Sequence, residues 1–538
     1  MLRFFEPKRR LFMEQYLMYD VAIVGYGPVG ATLAGLLGKL DLSVAVFEKT
    51  KEIYPKPRAV GFDHDAMRLF QRLGVSESIQ PYIEPFREEI YVGVDDRVLQ
   101  HFKHMEKPYP LTWNPHFTCN QPSIEKVLRD ANANLPNIHV ALGAEFIRFE
   151  QSLDHLKLHI KDSNNQSTMC AAKYLIACDG ASSPIRRQVG FEMENFDYDE
   201  HWIVVDMKVK KEFLNHLPSV NVQYCKPQRP STMICCPGNH RRWEFMTVPG
   251  DNLDDIVSEN RIWDLLKPWI QPSQAEIWRA AAYRFHALVA KEWQDERVFL
   301  AGDSAHQTPP FLGQGMCQGL RDAGNLAWKL KHVISNQADE SLLETYTQER
   351  RPNVLATTKL AKECGLIISE RDPQKAKERD EKILSANNGD TKFILRQELI
   401  PPLDSGLIDL SSPLAGSVFP QPIVNLFNKP NILMDDLTEP CFRLVVLEEK
   451  ISEYEILQIN QQAIHLKIII LKLNGSFTTQ TESPTIEVIE TLGIIRKWLN
   501  EAGCIGAIVR PDHYVYSGIV SSSKIVDCMS VLSSQLRP

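Results

Sequence analysis

Short apolar runs alternate with a helical pattern near the start of the chain. Residues 20–25 read Asp-Val-Ala-Ile-Val-Gly, which predicts a strand buried on both faces. Residues 29–40 follow a helical pattern, and residues 43–48 form a second apolar run. This strand–helix–strand order predicts an α/β fold with a parallel sheet. Residues 174–178 and 298–301 predict two more buried strands, so the first domain is discontinuous in sequence.

Between these runs, several stretches alternate between apolar and polar residues, as antiparallel strands do. They are residues 90–94, 202–209, 231–236 and 242–248. The alternation predicts a mostly antiparallel sheet domain inserted into the α/β domain. We therefore predict an N-terminal arm over 1–19 and a first domain over 20–400, with insertions at about 80–115 and 195–290.

The last third of the chain changes pattern. Residues 320–370 are helical in pattern, and five prolines then mark a linker over 401–429. Residues 430–538 alternate again and predict a small separate α/β domain. Its predicted elements are strands at 442–447, 466–471 and 506–509 and a helix near 486–502.

Composition narrows the class of protein. Of 538 residues, 43% are hydrophobic and 24% charged, and the net charge of −8 gives no reason to expect nucleic acid or an anionic membrane as partner. No apolar run reaches the roughly 18 residues of a spanning helix. The first 20 residues lack the apolar core of a signal peptide. The eleven cysteines are scattered without a C-x-x-C pair, which favours free thiols in a reducing cytoplasm.

A glycine-rich turn, Gly25-Tyr26-Gly27-Pro28-Val29-Gly30, joins the first predicted strand to the first helix. Its glycines suit a tight turn, the approach of a pyrophosphate to the backbone, and close packing of helix on strand. Glu48 ends the second strand, where a carboxylate can accept hydrogen bonds from a ribose. Together these features predict a dinucleotide site. Its candidate residues are Gly25, Gly27, Pro28, Gly30, Glu48 and Lys49.

A second motif follows the strand predicted at 298–301. It reads Gly-Asp-Ser-Ala-His-Gln-Thr-Pro-Pro-Phe-Leu-Gly-Gln-Gly-Met over residues 302–316. A carboxylate at a strand end can accept hydrogen bonds from sugar-alcohol hydroxyls, and a glycine-rich turn can present N–H groups to an electron-rich ring edge. The motif resembles the second FAD motif of the class A flavin monooxygenases. The resemblance implies that Asp303, after Gly302, binds the ribityl chain, and that the backbone of Gly313, Gly315 and Met316 faces the isoalloxazine ring.

Further positions match the same family. Cys178-Asp179-Gly180 is similar to its Asp-Gly element, which implies contacts of Asp179 with FAD and NAD(P)H. Arg58 resembles the family arginine beside the flavin. Gln121 stands where the family often has a glutamine or arginine near FAD. Pro309 corresponds to the proline that lines the edge shared by flavin and substrate, so the resemblance makes it both a cofactor-binding and a catalytic candidate.

Diffuse matches resemble the 3-(3-hydroxyphenyl)propionate/3-hydroxycinnamate hydroxylases of the phenol-hydroxylase-like branch. They cover residues 58–75, 201–206, 242–249 and 510–516. The resemblance implies hydroxylation of a phenolic aromatic acid in aromatic catabolism, with O₂ and NADH or NADPH as cosubstrates and NADH the better expectation. It also implies a C-terminal thioredoxin-like domain, which without a C-x-x-C pair has no disulfide redox role. A homodimer formed through that domain is a further expectation.

Hydroxylation of a phenol is helped by groups that promote loss of the phenol proton. Candidates in the inserted sheet domain are Tyr224, Tyr283 and His286, with Arg284 for a substrate carboxylate. A tyrosine in a sheet more often packs with its hydroxyl satisfied. His306 belongs to the second motif and is interpreted as structural. Asp303 and His306 alone do not make a metal site, so no metal is expected.

Other readings of the sequence stay open. The same scaffold suits hydroxylases of other phenols and of polyketide or antibiotic aromatics. A flavin-dependent halogenase is disfavoured, since the chain has no Trp-x-Trp-x-Ile-Pro segment. Residues 302–306 half-resemble the Gly-x-Ser-x-Gly turn of a hydrolase, with His306 in place of the last glycine. A non-enzymatic FAD-fold binding protein is the last alternative.

Overall fold

The first sheet has the strand–helix–strand core that the apolar runs predict. The computed structural model describes residues 18–252, 255–427, 429–461, 466–472 and 485–537. Parallel strands lie side by side in the order Val298–Leu300, Ser167–Ala177, Met18–Val24, Val44–Glu48 and Ile138–Leu142. Antiparallel strands Glu145–Gln151, Leu156–Lys161 and Gln294–Asp295 extend this sheet. The strands that precede the three motifs are therefore neighbours, and their carboxyl ends lie together. The predicted arm falls outside the described residues except for Met18 and Tyr19, which begin the first strand.

The helices of this domain pack closely because small apolar residues face their neighbours. Helix Pro28–Lys39 buries every residue from Gly30 to Gly38. A Cβ on Gly35 would lie 2.6 Å from Oδ1 of Asn132 on the adjacent helix. Further helices of this part of the chain are His64–Arg72, Ser76–Ile79, Gln121–Asn132, Pro184–Val189, Gly315–Ile334, Ser341–Ser369 and Pro373–Ser385. A small sheet is formed by Gly61–Asp63, Ile83–Pro85 and His116–Cys119. In the described part of the chain, no helix is both long enough and apolar enough to cross a membrane.

A second, mostly antiparallel sheet lies against the first domain. Its strands, in spatial order, are His306–Gln307, Ala275–Ala290, Met193–Val209, His240–Met246, Ser231–Cys235, Asn221–Tyr224, Glu89–Val92, Val98–Lys103 and Lys392–Leu395. Most of them come from the two predicted insertions. The strand at 392–395 adds a segment that the sequence did not assign to this sheet.

The two faces of the second sheet have different partners. Ile203 and Val205 point to one side and pack with helix Glu259–Leu266. Trp202, one residue along, points to the other side, and its ring packs 5.4 Å from the ring of Phe311 in the first domain. Alternate residues of a strand face opposite sides. We call the side with Trp202 the inner face and the side with Ile203 the outer face.

The C-terminal sheet combines parallel and antiparallel strands. Its strands, in spatial order, are Lys429–Leu433, Ile423–Leu426, Thr485–Glu490, Lys467–Lys472, Arg443–Leu447, Gly506–Val509 and Val515–Ile519. The three strands Thr485–Glu490, Lys467–Lys472 and Arg443–Leu447 are parallel to one another. Helices of this region are Glu453–Asn460, Ile494–Glu501 and Ile525–Leu536.

Two details of the C-terminal region differ from the prediction. The helix predicted near 486–502 is wrong in its first part, because Thr485–Glu490 pairs as a strand with Lys467–Lys472. The helix begins only at Ile494, after Gly493 with φ 65°. The sheet also starts at Ile423, inside the segment 401–429 predicted as a linker. The domain boundaries and the thioredoxin-like assignment stay predictions.

Buried ion pairs join the C-terminal region to the first domain. Arg68 Nε lies 2.7 Å from Asp435 Oδ2. Arg510 and Lys329 each lie 2.7 Å from Oε2 of Glu349. Burial alone would raise the pKa of Glu349, but these two cations lower it to about 2. Removal of one partner would leave uncompensated buried charge, so these pairs fix the two regions against each other.

Candidate active site

The glycine turn is packed so tightly that two of its glycines have no substitute. Gly25 has φ 98°, in the left-handed region that favours glycine, and its N–H donates to the carbonyl of Phe47 at 2.8 Å. A Cβ on Gly25 would lie 2.1 Å from the carbonyl oxygen of Cys178. A Cβ on Gly30 would lie 2.1 Å from the carbonyl oxygen of Gly25. These two positions therefore hold strand, turn and helix together, as the motif predicts.

Gly27, by contrast, borders open space. A Cβ there would meet no atom within 4 Å, and its φ of −70° is one that any residue adopts. Pro28 follows at the first position of its helix, and within the described residues no side chain caps that helix. The helix start thus offers unpaired N–H groups and the positive end of its dipole to an anion in this space. The arrangement suits a pyrophosphate.

Glu48 holds the same turn from the end of the second strand. Its Oε2 accepts a hydrogen bond from the N–H of Tyr26 at 2.9 Å, and its Oε1 accepts one from the N–H of Thr50 at 2.9 Å. Burial alone would raise the pKa of this carboxyl, but the hydrogen bonds leave it below its ordinary value. The carboxylate is therefore an anion at neutral pH, with lone pairs left for a ribose hydroxyl. Lys49 lies exposed beside it.

The three motifs meet where the sheet order brings their strands together. A Cβ on Gly25 would lie 3.0 Å from the backbone nitrogen of Asp179. A Cβ on Gly302 would lie 3.1 Å from Cγ2 of Val29 in the glycine turn. Segments that are far apart in sequence thus border one cleft, which is the usual ligand position outside the carboxyl ends of parallel strands.

Arg186 links two of these turns, and sequence reasoning did not select it. Its guanidinium donates to the carbonyl of Ser304 at 2.6 Å and to the carbonyl of Ala181 at 2.8 Å. Both bonds are made from a buried position, although a pair of consecutive arginines is typical of an exposed helix end. The signal that could have found it is its position two residues after a proline that starts a helix beside the Asp-Gly turn.

Two carboxylates line the cleft between the turns. The side chain of Asp303 is open to the cleft but surrounded by protein, and this burial raises its pKa against the attraction of His306 and Arg58. Burial also raises the pKa of Asp179. Its Oδ2 accepts a hydrogen bond from the N–H of Ile185 at 3.3 Å, while Oδ1 is buried with no partner among the described residues. Such an acceptor is suited to a donor from a bound cofactor.

The loop that carries Arg58 is held from two sides. Oε1 of Gln121 accepts a hydrogen bond from the N–H of Arg58 at 3.0 Å. Arg242, from the inner face, donates to the carbonyl of Arg58 at 2.8 Å and to that of Pro57 at 2.7 Å. The Arg58 side chain is exposed and lies near enough to Asp303 to act on its pKa. The structure therefore brings Arg58 to the cleft and gives Gln121 a position in shaping its loop.

The segment 309–316 borders the cleft beside these turns. Gly313 has φ 64°, which reverses the chain before a long helix. That helix begins at Gly315, where a Cβ would meet no atom within 4 Å, so its first N–H groups face open space. Pro309 is buried and Met316 is half-buried. This geometry agrees with a ring edge lying against the segment.

The hydrolase alternative does not fit the geometry. Oγ of Ser304 donates to the carbonyl of Ala177 at 2.6 Å and is fully buried. Nε2 of His306 lies 2.8 Å from Oδ2 of Asp322, and Oδ1 of the same carboxylate pairs with Arg350 at 2.9 Å. A serine nucleophile needs a base within hydrogen-bond reach and access to substrate. The structure gives Ser304 neither, and it places His306 in a buried structural network.

Three candidates lie on the outer face. Tyr224 and His286 were predicted to promote loss of the phenol proton, and Arg284 was predicted to bind a substrate carboxylate. Oη of Tyr224 accepts a hydrogen bond from Nε1 of Trp269 at 3.0 Å, under the outer helix. His286 lies 3.4 Å from Asp199, and Arg284 is exposed and paired with the same carboxylate. The strand alternation turns all three away from the cleft. These assignments are corrected: Tyr224 is a packing residue, and His286 and Arg284 form a surface ion-pair group.

Tyr283 is the candidate that the structure places on the inner face. It pairs across the strands with Trp202, and its ring stacks 6.5 Å from that of Phe285. Phe285 in turn packs against Phe311, next to Pro309. The inner face is therefore aromatic where it approaches the segment 309–316.

Sequence reasoning missed the buried charges of the inner face. Oδ1 of Asp206 lies 2.8 Å from Nε of Arg242 and 2.8 Å from Nε2 of His240. Oδ2 of Asp206 lies 3.4 Å from Nη1 of Arg279. Burial alone would raise the pKa of Asp206, but the charge of Arg242 and the hydrogen bonds from His240 and Arg242 hold it well below its usual range. This cluster anchors the sheet to the Arg58 loop.

A second buried pair joins the inner face to the segment 309–316. Arg396 donates to Oε2 of Glu89 at 2.6 Å and to the carbonyl of Leu312 at 2.7 Å. Gln223 donates to the other oxygen of Glu89 at 2.6 Å. Both ends of the inner face are thus tied to the first domain by charged groups, with the cleft between them.

These features fit a flavin dinucleotide. The two helix starts at Gly27 and Gly315 are both open, and their helices touch where a Cβ on Gly319 would lie 2.6 Å from Cγ2 of Val29. An anionic carboxylate at Glu48 and an unpaired oxygen on Asp179 border the same cleft. The donors and acceptors present therefore match a pyrophosphate, sugar hydroxyls and a polar ring edge.

Comparison with known proteins agrees with this assignment. Residues 18–361 match the family model described as FAD binding domain, and residues 416–535 match the model described as HcaD C-terminal domain. The probable NADH-specific resorcinol 4-hydroxylase of Rhodococcus jostii is 32% identical over 524 residues, which are 96% of this chain and 95% of that protein. A 3-(3-hydroxy-phenyl)propionate/3-hydroxycinnamic acid hydroxylase of Escherichia coli is 28% identical over 514 residues, 92% of this chain and 91% of that protein. The predicted family resemblance is confirmed.

Solved structures show the same fold over nearly the whole chain. The flavin-dependent monooxygenase PieE, in complex with FAD and substrate, has a TM-score of 0.76 at 16% identity, with 96% of this chain and 99% of that chain covered. Aklavinone-11 hydroxylase, in a ternary complex with FAD and aklavinone, has a TM-score of 0.75 at 18% identity, with 97% and 100% covered. The predicted mixed α/β fold with an inserted sheet is confirmed.

Proposed function

Since the chain belongs to the FAD-binding-domain family, we propose that it is an FAD-dependent hydroxylase of phenolic rings that consumes NADH and O₂. The observation that carries the proposal is the extent of its similarity to a named aromatic hydroxylase. That similarity covers 96% of the chain. It therefore includes both the glycine turn and the inner face of the second sheet.

In this proposal the residues of the cleft bind and orient the cofactor. Bound FAD supplies the redox and oxygen-transfer chemistry of the reaction. The helix start at Gly27 binds the pyrophosphate, and Glu48 accepts hydrogen bonds from the ribose hydroxyls. Asp303 accepts hydrogen bonds from the ribityl chain, and the N–H groups at Gly315 face the ring edge. Each role follows from an open position or a free acceptor described above.

The aromatic part of the inner face excludes water from the reacting ring. Trp202, Phe285 and Phe311 lie with ring centroids 5.4 to 6.2 Å apart. Pro309 is buried two residues before Phe311. A dry wall at this place protects a reactive oxygen species from water and holds a flat substrate by its faces. Tyr283 extends the same wall.

We propose a phenol with a second substituent in the meta position as the substrate. The first candidate is 3-(3-hydroxyphenyl)propionate or 3-hydroxycinnamate, after the relatives named for those acids. The second is resorcinol, after the relative that is named for its hydroxylation. On the inner face Arg242 is engaged by Asp206, whereas Nε and Nη2 of Arg279 have no hydrogen-bond partner among the described residues, which favours a substrate that carries a carboxylate.

The test is NADH oxidation by purified, FAD-loaded protein with each candidate, scored together with O₂ uptake, H₂O₂ and product mass. 3-Phenylpropionate, which lacks the ring hydroxyl, is the matched control. We expect one phenol to accelerate NADH oxidation with little H₂O₂ and a product heavier by one oxygen. A flavin that NADH does not reduce with any of these phenols would contradict the proposal.

Two finer assignments belong to the same proposal. We propose a homodimer formed through the C-terminal region, which exposes the apolar side chains of Tyr454, Leu457 and Val531. Sedimentation analysis tests it, and a monomer at micromolar concentration would refute it. We also propose a cytoplasmic location. The free thiols of all eleven cysteines suit that reducing compartment.

A further inference from the structure

Glu244 occupies the centre of the inner face. It lies on the strand His240–Met246, whose alternate residues Arg242, Glu244 and Met246 share that face. Arg242 contacts the Arg58 loop, and Met246 packs in the same cluster as Phe311. Glu244 therefore lies between these two contacts, on the wall that faces the proposed flavin cleft from the side of the sheet.

The residues paired with Glu244 across the sheet are short and uncharged. Val204 and Thr232 flank it on the adjacent strands, and Ala281 lies beyond Val204. None of these three side chains offers the carboxylate a cationic partner. In the described part of the chain no hydrogen bond reaches the Glu244 carboxylate, and its one ion-pair contact is Nη1 of Arg242 at 3.9 Å. The side chain keeps 7% of its surface accessible.

The two other buried carboxylates of the inner face, Asp206 and Glu89, are already satisfied. Asp206 is bonded by Arg242 and His240, and Glu89 is bonded by Arg396 and Gln223. Hydrogen bonds and cations stabilise the ionised form of a carboxylate. A carboxylate that already has such partners is therefore a poor proton acceptor. Of the three buried carboxylates Asp206, Glu89 and Glu244 on the inner face, Glu244 is the one whose carboxylate lacks a hydrogen-bond donor among the described residues.

The charges around Glu244 set its protonation near neutral pH. Burial is the largest influence on it, and Asp206 and Glu89 act in the same direction, while Arg242 and Arg279 oppose them. The result raises the pKa of Glu244 to about 6. A carboxylate of this kind is mostly ionised at pH 7 and is also basic enough to take a proton from a bound ligand.

We propose that Glu244 is the catalytic base that accepts the hydroxyl proton of the phenolic substrate. The phenol O–H bond breaks, the proton moves to a carboxylate oxygen of Glu244, and the electron pair stays on the phenolate oxygen. That negative charge makes the ring carbons ortho and para to it more nucleophilic toward the oxygen supplied in the reaction. When the ring regains aromaticity by losing its C–H proton to solvent, the proton on Glu244 returns to the substrate oxygen. The inference rests on the proposed function.

The variant Glu244→Gln tests this role, with Tyr224→Phe on the outer face of the same sheet as control. Loss of a general base costs roughly 10²- to 10⁴-fold in rate. We expect kcat for hydroxylation to fall in that range for Glu244→Gln and to stay within twofold for Tyr224→Phe. FAD affinity and melting temperature should be kept, because glutamine removes a buried charge that had no hydrogen bond. A clear loss of melting temperature would overturn the picture of an unsatisfied carboxylate.

A pH profile separates a base from a merely structural residue. The kcat/KM of the wild type should rise with pH on an acidic limb with an apparent pKa near 6, and Glu244→Gln should lack that limb while Glu244→Asp keeps one. Equal kcat and an equal acidic limb in wild type and Glu244→Gln would overturn the assignment. A wild type that hydroxylates no phenol would instead refute the proposed function.

Discussion

Replacing Gly27 by alanine should separate FAD binding from folding, because the added methyl group enters the open cleft and touches no protein atom. A Cβ on Gly27 meets nothing within 4 Å, whereas a Cβ on Gly30 lies 2.1 Å from the carbonyl oxygen of Gly25. The two substitutions add the same group, three residues apart. Gly27→Ala should therefore weaken the binding of FAD, and Gly30→Ala should weaken the fold.

The magnitudes follow from these contacts. For Gly27→Ala, alanine is a weaker helix cap, which destabilises the fold, but it also makes the unfolded chain less flexible, which stabilises the fold. The free energy of unfolding should therefore change by at most about 1 kcal/mol. The methyl group keeps the phosphate from one backbone N–H, and such a charged hydrogen bond is worth about 1.5–3 kcal/mol, or roughly 10- to 150-fold in Kd. For Gly30→Ala, backbone must move to relieve the contact, which costs about 1–3 kcal/mol of stability or more.

The assay is a titration of each apoprotein with FAD, followed by flavin fluorescence, together with chemical unfolding of the apoproteins. Wild-type stability with a raised Kd is expected for Gly27→Ala. Lower stability is expected for Gly30→Ala. A folded Gly27→Ala protein that binds FAD as tightly as the wild type would refute the placement of the pyrophosphate.

Three further changes test other parts of the structure. Glu349→Gln leaves Lys329 without its buried anion and Arg510 with Asp512 alone. The free energy of unfolding should therefore fall by about 3–5 kcal/mol in denaturant titrations, and a loss below 1 kcal/mol would contradict the buried network. The pKa of Glu349 is lowered from its ordinary 4.5 to about 2, so its contribution is present above pH 4.5 and is lost as the pH falls toward 2; the difference between wild type and variant should shrink over that interval. Ser304→Ala should lose about 1–3 kcal/mol of stability yet keep hydroxylation once loaded with FAD, and inactivity at unchanged stability would reopen the question of a nucleophile. Glu48→Gln should raise the Kd for FAD about tenfold in the same fluorescence titration, because it removes a charged acceptor from the turn, and an unchanged Kd would exclude the ribose contact.

The cofactor cleft could be predicted from sequence because its requirements are local. A tight turn before a helix needs glycine at fixed places, and a carboxylate at a strand end needs only its position. The roles of Gly25, Gly30 and Glu48 could therefore be predicted from the neighbouring sequence alone. The order of strands then brought the motifs at Asp179 and Asp303 to the same edge, as parallel sheets usually do.

The substrate side could not be predicted in the same way, because both faces of the second sheet are covered. The strand His240–Met246 alternates charged and aromatic residues, which indicates a solvent face and a core face. In the structure every residue of this strand is buried, and the charged face lies against the first domain. The pattern therefore gave no indication that Glu244 is buried against the first domain. It also gave no means of knowing that Tyr224 and His286 face outward.

In the C-terminal region, local pattern was also insufficient. Residues 485–490 read Thr-Ile-Glu-Val-Ile-Glu, a short apolar run that fits a strand or the start of a helix. Its pairing with Lys467–Lys472 decides the outcome, and that contact is made in three dimensions. The helix that follows is correctly predicted only from Ile494 onward.

The central claim is that one atom of O₂ enters a phenolic ring at the cost of NADH. The most direct test is turnover of the FAD-loaded protein under ¹⁸O₂ with resorcinol or 3-(3-hydroxyphenyl)propionate, with NADH consumption and product mass measured together. The account predicts one ¹⁸O atom in each product molecule and about one NADH consumed for each. A hydroxylated product that carries oxygen from water, or NADH consumption that yields only H₂O₂ with every phenol tried, would contradict it.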